Sequence, residues 1–203
     1  MKPLKLEGVS RETQDKLLTY HALLLKWQEK INLISLTTAP DAWNRHFVDS
    51  AQLSPLIPAD VRSMADFGSG AGFAGLVLAI LRPEIAVTLI ESDAKKCAFL
   101  QTVSRETATP VTIKNSRIES SVQEIQAPDI VTARALSSLK SLLDYCRPWL
   151  VSHENKRLIF PKGAQFATEI AEAREAGWSF DYEETQSVTD PSARILCLTN
   201  VHK

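Results

Sequence analysis

The sequence predicts an α/β fold: a mostly parallel sheet wrapped by helices, with an N-terminal helical extension in front and an antiparallel C-terminal edge. Three observations carry this expectation. From Val61 onward, short apolar runs alternate with helical patterns, an order that builds parallel strands through right-handed crossovers. A turn rich in glycine, Asp66-Phe67-Gly68-Ser69-Gly70-Ala71-Gly72-Phe73-Ala74-Gly75, joins the first such strand to the first such helix. Two strand patterns with no helix between them close the chain.

Taken in order, Ser10 to Ile34 has Leu17, Leu18, Leu24, Leu25 and Ile31 mostly at three- and four-residue spacing behind the helix start Ser10-Arg11-Glu12-Thr13, an amphipathic helix. A second helix is expected from Asp41 to Leu56, carrying Trp43, Phe47 and Leu53 and closed by Pro55 and Pro58. The alternating part reads as strand Val61–Phe67, helix Ala74–Leu81, strand Ala86–Glu91, helix Ala94–Thr107 and strand Val111–Asn115. It continues with strand Asp129–Ala133, helix Leu139–Trp149, strand Arg157–Phe160 and helix Phe166–Ala176. Trp178–Glu184 and Ala193–Val201 form the closing pair around a turn near Asp190-Pro191.

With 203 residues, 44% of them hydrophobic, the chain suffices for one well-filled domain, so residues 1–203 are read as a single unit with residues 1–58 as an extension packed on it. A net charge of -1 excludes a generally polycationic nucleic-acid binder and leaves room for a local basic face. Cys97, Cys146 and Cys197 stand far apart without CxxC pairing, which suits reduced thiols and no metal site. Without a signal-like N-terminus or a long apolar span, the expectation is a cytoplasmic protein with no membrane partner. Trp27, Trp43, Trp149 and Trp178 are expected in the core, whereas Phe73 is the aromatic moved toward a ligand.

Two nucleotide chemistries fit the loop. Gly70, Gly72 and Gly75 match the dinucleotide pattern G-x-G-x-x-G, with Glu91 about 20 residues further on where such a site holds a ribose. Counted from the strand end, however, the first glycine is Gly68, and from there Phe73 breaks that spacing. The pattern D-x-G-x-G-x-G from Asp66 instead resembles motif I of S-adenosylmethionine-dependent methyltransferases, and a carboxylate suits a sulfonium, an ammonium or an ordered water better than a pyrophosphate. Asp66, Gly68, Gly70, Gly72 and Phe73 thus become cofactor-binding candidates, and Glu91, ending its strand at the same sheet edge, a ribose acceptor.

Beyond the loop, an ordered series of segments is similar to one family. Trp27 through Asn32-Leu33, Arg45-His46-Phe47-Val48-Asp49-Ser50, Glu91-Ser92 with Lys95-Lys96 and Phe99-Leu100, Ser116-Arg117-Ile118-Glu119, Thr132-Ala133-Arg134-Ala135 and Lys162-Gly163 together resemble the bacterial 16S ribosomal RNA guanine-N7 methyltransferases, the RsmG or GidB family. The chain departs in having Ala74 where the family usually has proline, and it matches poorly after Gly163. The resemblance implies a class I, Rossmann-like methyltransferase fold, S-adenosylmethionine as cofactor and the 16S ribosomal RNA or the small subunit as partner of a monomer. It further implies that Gly68 and Phe73 contact the cofactor, that Ile118 and Glu119 flank its adenine, and that Arg134 lies beside cofactor and incoming base.

Guanine N7 offers a lone pair with no proton to remove, so positioning rather than a general base is expected, with Arg134 as the catalytic positioning candidate through guanine O6 or a phosphate. Arg45, His46, Lys95, Lys96, Arg117 and Lys162 are the candidates for an RNA-binding face, His46 equally suited to orienting its own helix by hydrogen bonding. The competing functions are a methyltransferase acting on a small molecule or protein, a noncatalytic RNA-binding assembly factor with a retained cofactor pocket, and a nicotinamide oxidoreductase.

Overall fold

The computed structural model describes residues 5–150 and 156–203. Residues 1–4 and 151–155 of the expected single unit lie outside the described residues. A seven-stranded sheet in the order β3-β2-β1-β4-β5-β7-β6 is built from β1 (Ser63–Phe67), β2 (Ala86–Glu91), β3 (Thr112–Asn115), β4 (Ile130–Ala133), β5 (Arg157–Lys162), β6 (Ser179–Gln186) and β7 (Arg194–His202). Strands β1 to β5 are parallel, while β7 runs antiparallel to both β5 and β6. This is the expected mostly parallel sheet with its antiparallel C-terminal edge.

Successive strand residues serve opposite faces. Met64, Leu89 and Ile159 pack beneath α1 (Arg11–Gln28), α3 (Gly75–Leu81) and α4 (Ala94–Glu106), whereas Phe67, Ile90 and Phe160 pack beneath α6 (Leu139–Leu150) and α7 (Phe166–Glu175). Trp43, Trp149 and Trp178 are buried in these two cores and Trp27 packs against Phe99. The chain's order reverses at β1, whose neighbours are β2 and β4, and such a switch point leaves a crevice at the carboxyl ends of the strands.

The extension differs from the expected two long helices. Ser10 Oγ caps α1 by accepting from the Thr13 amide at 3.1 Å, but the helix stops at Gln28 instead of Ile34. There the Gln28 carboxamide turns the chain, accepting from the amides of Leu33 and Ile34 and donating to the Ile34 carbonyl, each at 2.9 Å. The expected Asp41–Leu56 helix is broken into a 3-10 turn at Ala39–Asp41, a π-helical segment Trp43–Val48, a short α2 (Asp49–Ala51) and a second 3-10 turn at Ser54–Leu56. Within the π segment Trp43, His46 and Phe47 are buried, the Trp43 and Phe47 rings stacked at 5.0 Å. A helix that the polar run after Asn115 conceals, α5 (Ile118–Glu124), buries Ile118 and Val122, one turn apart.

Gly75 illustrates how tightly α3 is set on β1: a Cβ there would lie 2.5 Å from Leu89 Cδ2 and 2.7 Å from Asp66 Cβ. At Gly163 a Cβ meets nothing within 4 Å. Gly75→Ala is therefore expected to lower unfolding free energy by about 1–3 kcal/mol through overpacking, and Gly163→Ala to leave it within about 0.5 kcal/mol. Urea denaturation of the two variants checks this, and equal midpoints would refute the close-approach account.

Candidate functional site

Two neighbouring clefts open at the carboxyl ends of the parallel strands. The first, of about 440 Å³, is lined by the glycine loop after β1, by Glu91 and Ser92 after β2, by Ser116 to Glu119 after β3, and by Arg134 to Leu136 after β4. The second, of about 290 Å³, lies between α2, the ends of β4 and β5, the start of α7 and the β6–β7 loop. Arg134, Ala135 and Leu136 line both clefts and form their common wall.

The loop passes through left-handed backbone at Gly68 (φ 60°), Gly70 (φ 56°) and Gly72 (φ 92°), a path that side chains disfavour. Groups on three sides fix it. Glu91, only 8% exposed, accepts from the Gly70 amide through Oε2 and from the Asp93 amide through Oε1, each at 2.8 Å. A carboxylate has about four acceptor positions, so these two bonds orient the group and leave capacity for ribose hydroxyls. On the opposite side the Tyr20 hydroxyl, reaching in from α1, donates to the Ala71 carbonyl, and its ring stacks on Phe73 at 5.5 Å.

Asp66 supplies the third hold, from beneath. Its carboxylate is fully buried, and Oδ2 accepts from the Gly75 amide at 3.2 Å while Oδ1 has no partner. Burial pushes its pKa up to about 7, against the lowering pull of its hydrogen bonds and of Arg134. Asp66 sits behind the loop and Gly72 faces Tyr20, so neither lines the cleft, whereas Gly68, Gly70, Phe73, Glu91, Ile118, Glu119 and Arg134 do.

Arg134 emerges where β4 ends and is held by three acceptors from the extension. Nε donates to Asp49 Oδ2 at 2.9 Å, one terminal nitrogen to His46 Nδ1 at 3.0 Å and the other to the Arg45 carbonyl at 2.6 Å. Because an arginine can only donate, Nδ1 of His46 is the acceptor nitrogen, and the Nε2 proton points to Thr38 Oγ1 at 3.0 Å. Burial first, then the Arg134 charge, push the His46 pKa down to about 4, which keeps the imidazole neutral as it stacks on Phe73 at 4.9 Å.

The six basic candidates are not brought to one face. His46, Lys96 and Arg117 line the first cleft, Arg45 and Lys162 the second, and Lys95 neither. Arg45 is exposed and faces Asp190 at 3.8 Å. Lys162 is only 7% exposed, and its ammonium pairs with Glu169 at 2.6 Å and donates to the Ser137 carbonyl at 2.7 Å. Sequence reasoning missed Tyr20, which looks like one more apolar position of α1, the structural part of Asp49, and Leu33 and Ile34, which reach the first cleft because Gln28 folds the chain back. Only Leu33 and Asp49 carried a signal, as members of the family-like segments.

The residues present suit S-adenosylmethionine. Glu91 offers acceptors to a ribose, Ile118 an apolar surface to a purine, and the side-chain-free loop lets a charged ligand approach the backbone. The cleft volume lies in the usual range for a cofactor site.

The buried Asp66 also gives stability a pH dependence. A carboxyl whose pKa rises from 3.8 to about 7 on folding contributes stability that is complete below the lower value and is lost as pH rises through the upper. Relative to Asp66→Asn, the natural protein is expected to lose on the order of 1–4 kcal/mol between pH 4 and pH 8. Chemical denaturation of both proteins across that range measures it; parallel curves would refute it.

Comparison with known proteins places this geometry. The family model described as rRNA small subunit methyltransferase G matches residues 13–196. The ribosomal RNA small subunit methyltransferase G of Paramagnetospirillum magneticum is 48% identical over 198 residues, covering 97% of this chain and 93% of the relative. That of Parvibaculum lavamentivorans is 46% identical over 200 residues, covering 97% and 87%. Among solved structures, an O-methyltransferase of Bacillus cereus in complex with S-adenosylhomocysteine shares the fold at a TM-score of 0.59 and 13% identity, covering 96% of this chain and 93% of that one. A Streptomyces achromogenes O-methyltransferase of tomaymycin synthesis, in complex with S-adenosylmethionine, does so at 0.59 and 13%, covering 91% and 89%. With a sheet, a cleft and a near full-length sequence match all of one kind, the chain belongs to the rRNA small subunit methyltransferase G family.

Proposed function

We propose that the protein transfers a methyl group from S-adenosylmethionine to N7 of a guanine in 16S ribosomal RNA. The coarser activity, methylation of small-subunit ribosomal RNA, is that of its family. The finer assignment rests on the state of the proton acceptors around the junction of the two clefts. His46 Nδ1 is taken by Arg134, and the Glu91 carboxylate is turned toward the ribose position by the amides of Gly70 and Asp93. Glu119 stands beyond β3, three strand positions from β4. Glu169 Oε1, an open acceptor, lies in the second cleft and not in the first, and guanine N7 is a nucleophile from which no proton has to be removed.

A bound sulfonium supplies an electrophilic methyl: the N7 lone pair forms the new C–N bond as the C–S bond breaks, and the pair stays on sulfur while the positive charge passes to the purine. This chain's part is to align the partners, which is worth about 7–11 kcal/mol in the best intramolecular cases. Phe73, the loop and Arg134 all line the cleft in which the methyl would be presented. Asp49 neutralises the Arg134 guanidinium and aims it at the common wall, so its charge does not oppose the methyl. Two of its five N–H groups stay available, since three are spent on Asp49, His46 and Arg45.

The direct test incubates the protein with methyl-labelled S-adenosylmethionine and small subunits from cells lacking it, then digests the RNA. Label in 7-methylguanosine is expected, and label in any other nucleoside would overturn the N7 assignment. Arg45 provides a second test, because its exposed pair with Asp190 at 3.8 Å is cheap to exchange for a phosphate. Arg45→Glu is expected to raise KM for subunits about tenfold and to lower the salt slope of binding by about one, with cofactor affinity unchanged. Unaltered KM and slope would remove Arg45 from the RNA contacts.

A further inference from the structure

We propose that the second cleft receives the far edge of the target guanine, with Glu169 Oε1 accepting from its N2 amino group while Arg134 donates to O6. This rests on the guanine-N7 reading. Around the purine ring N7 is followed by O6, then N1–H, then the N2 amino group. A guanine whose N7 faces the first cleft therefore brings O6 to the common wall, where Arg134 stands, and carries its amino edge into the second cleft.

An acceptor waits there. Glu169 Oε2 is used twice, by the Lys162 ammonium at 2.6 Å and the Leu139 amide at 2.7 Å. Oε1 receives no hydrogen bond from the described residues, although Glu169 lines the cleft and is largely buried, with a side chain 22% exposed. Buried ion pairs add little net stability compared with apolar packing, so the pair is better understood through what its open oxygen meets. Lys162 holds the arrangement in register: it fixes the Glu169 carboxylate and, through the Ser137 carbonyl, the segment that continues the common wall. Asp49 cannot serve in its place, because its oxygens are occupied by Arg134, Gln52 and Thr189. At about 290 Å³ the cleft suits one extruded base rather than a run of nucleotides.

The test replaces the target guanine by inosine, which keeps N7, O6 and N1–H and lacks only the N2 amino group, in 16S RNA reconstituted into small subunits. For the natural protein, kcat/KM is expected to fall about tenfold or more on the inosine substrate, as for loss of a base-reading contact. For Glu169→Gln, which can turn donors toward the base, the difference between guanine and inosine is expected to shrink toward none, with cofactor affinity retained. The double variant Lys162→Met with Glu169→Gln removes the buried cation together with its partner, and the same loss of discrimination is expected without an unpaired charge in the core. Equal rates of the natural protein on guanine and inosine, or an undiminished inosine penalty in the variants, would overturn the assignment of Glu169 and leave the N7 reading standing. Absence of 7-methylguanosine from the natural substrate would instead overturn the N7 reading and this proposal with it.

Discussion

A loop rich in glycine has few side chains with which to hold itself and much backbone entropy to lose, and here the Ser69 hydroxyl donates to the Asp66 carbonyl at 3.0 Å. Everything around the first cleft answers that constraint. Glu91 fixes the loop from β2, Tyr20 from α1, and Asp66 from below through the first amide of α3. The three holds come from different elements, so the loop takes its shape only where the sheet, α3 and the extension meet. The fully buried Asp66, with one oxygen unpaired, is the costly member of the set.

The extension contributes more than cover. Tyr20, His46, Phe47 and Phe73 form a contiguous aromatic group in which His46 lies flat on Phe73 and Tyr20 lies on its neighbourhood at a 10° interplanar angle. On the polar side of that group Arg134 is clamped by Asp49, His46 and the Arg45 carbonyl. The residue that faces both clefts is thereby positioned by a segment more than eighty residues earlier in the chain, across separations of 85 to 89 residues.

The mostly parallel sheet and its antiparallel edge were legible because alternation of apolar runs and helical patterns is a local signal that tertiary structure amplifies; the order of the strands in the sheet was not read from it. Glu91 was legible for the same reason, as the last residue of a strand. Helix ends in the extension were not, since α1 is ended by a Gln28 carboxamide bonded to residues beyond it and the following helix is remade by the burial of Trp43, His46 and Phe47. Asp66 carried the right pattern but its alternation in β1 turns the carboxylate into the core, behind the loop. Lys162 shows the converse: a lysine in a family-like segment reads as an exposed cation, and only the approach of α7 reveals it as a buried partner of Glu169. Tyr20 gives no local sign at all, because its hydroxyl matters only through a carbonyl 51 residues away.

Asp49 also accepts from Ser187 and Thr189 in the β6–β7 loop, and the Gln52 carboxamide accepts from the Val188 amide at 2.8 Å. These contacts span 136 to 140 residues. During synthesis the elements that line the first cleft emerge before this loop does, so the second cleft can be completed only after the first has all its parts. An enzyme that modifies ribosomal RNA is thus itself made on a ribosome with its two clefts supplied in sequence, the one lined by the glycine loop before the one closed by the β6–β7 loop.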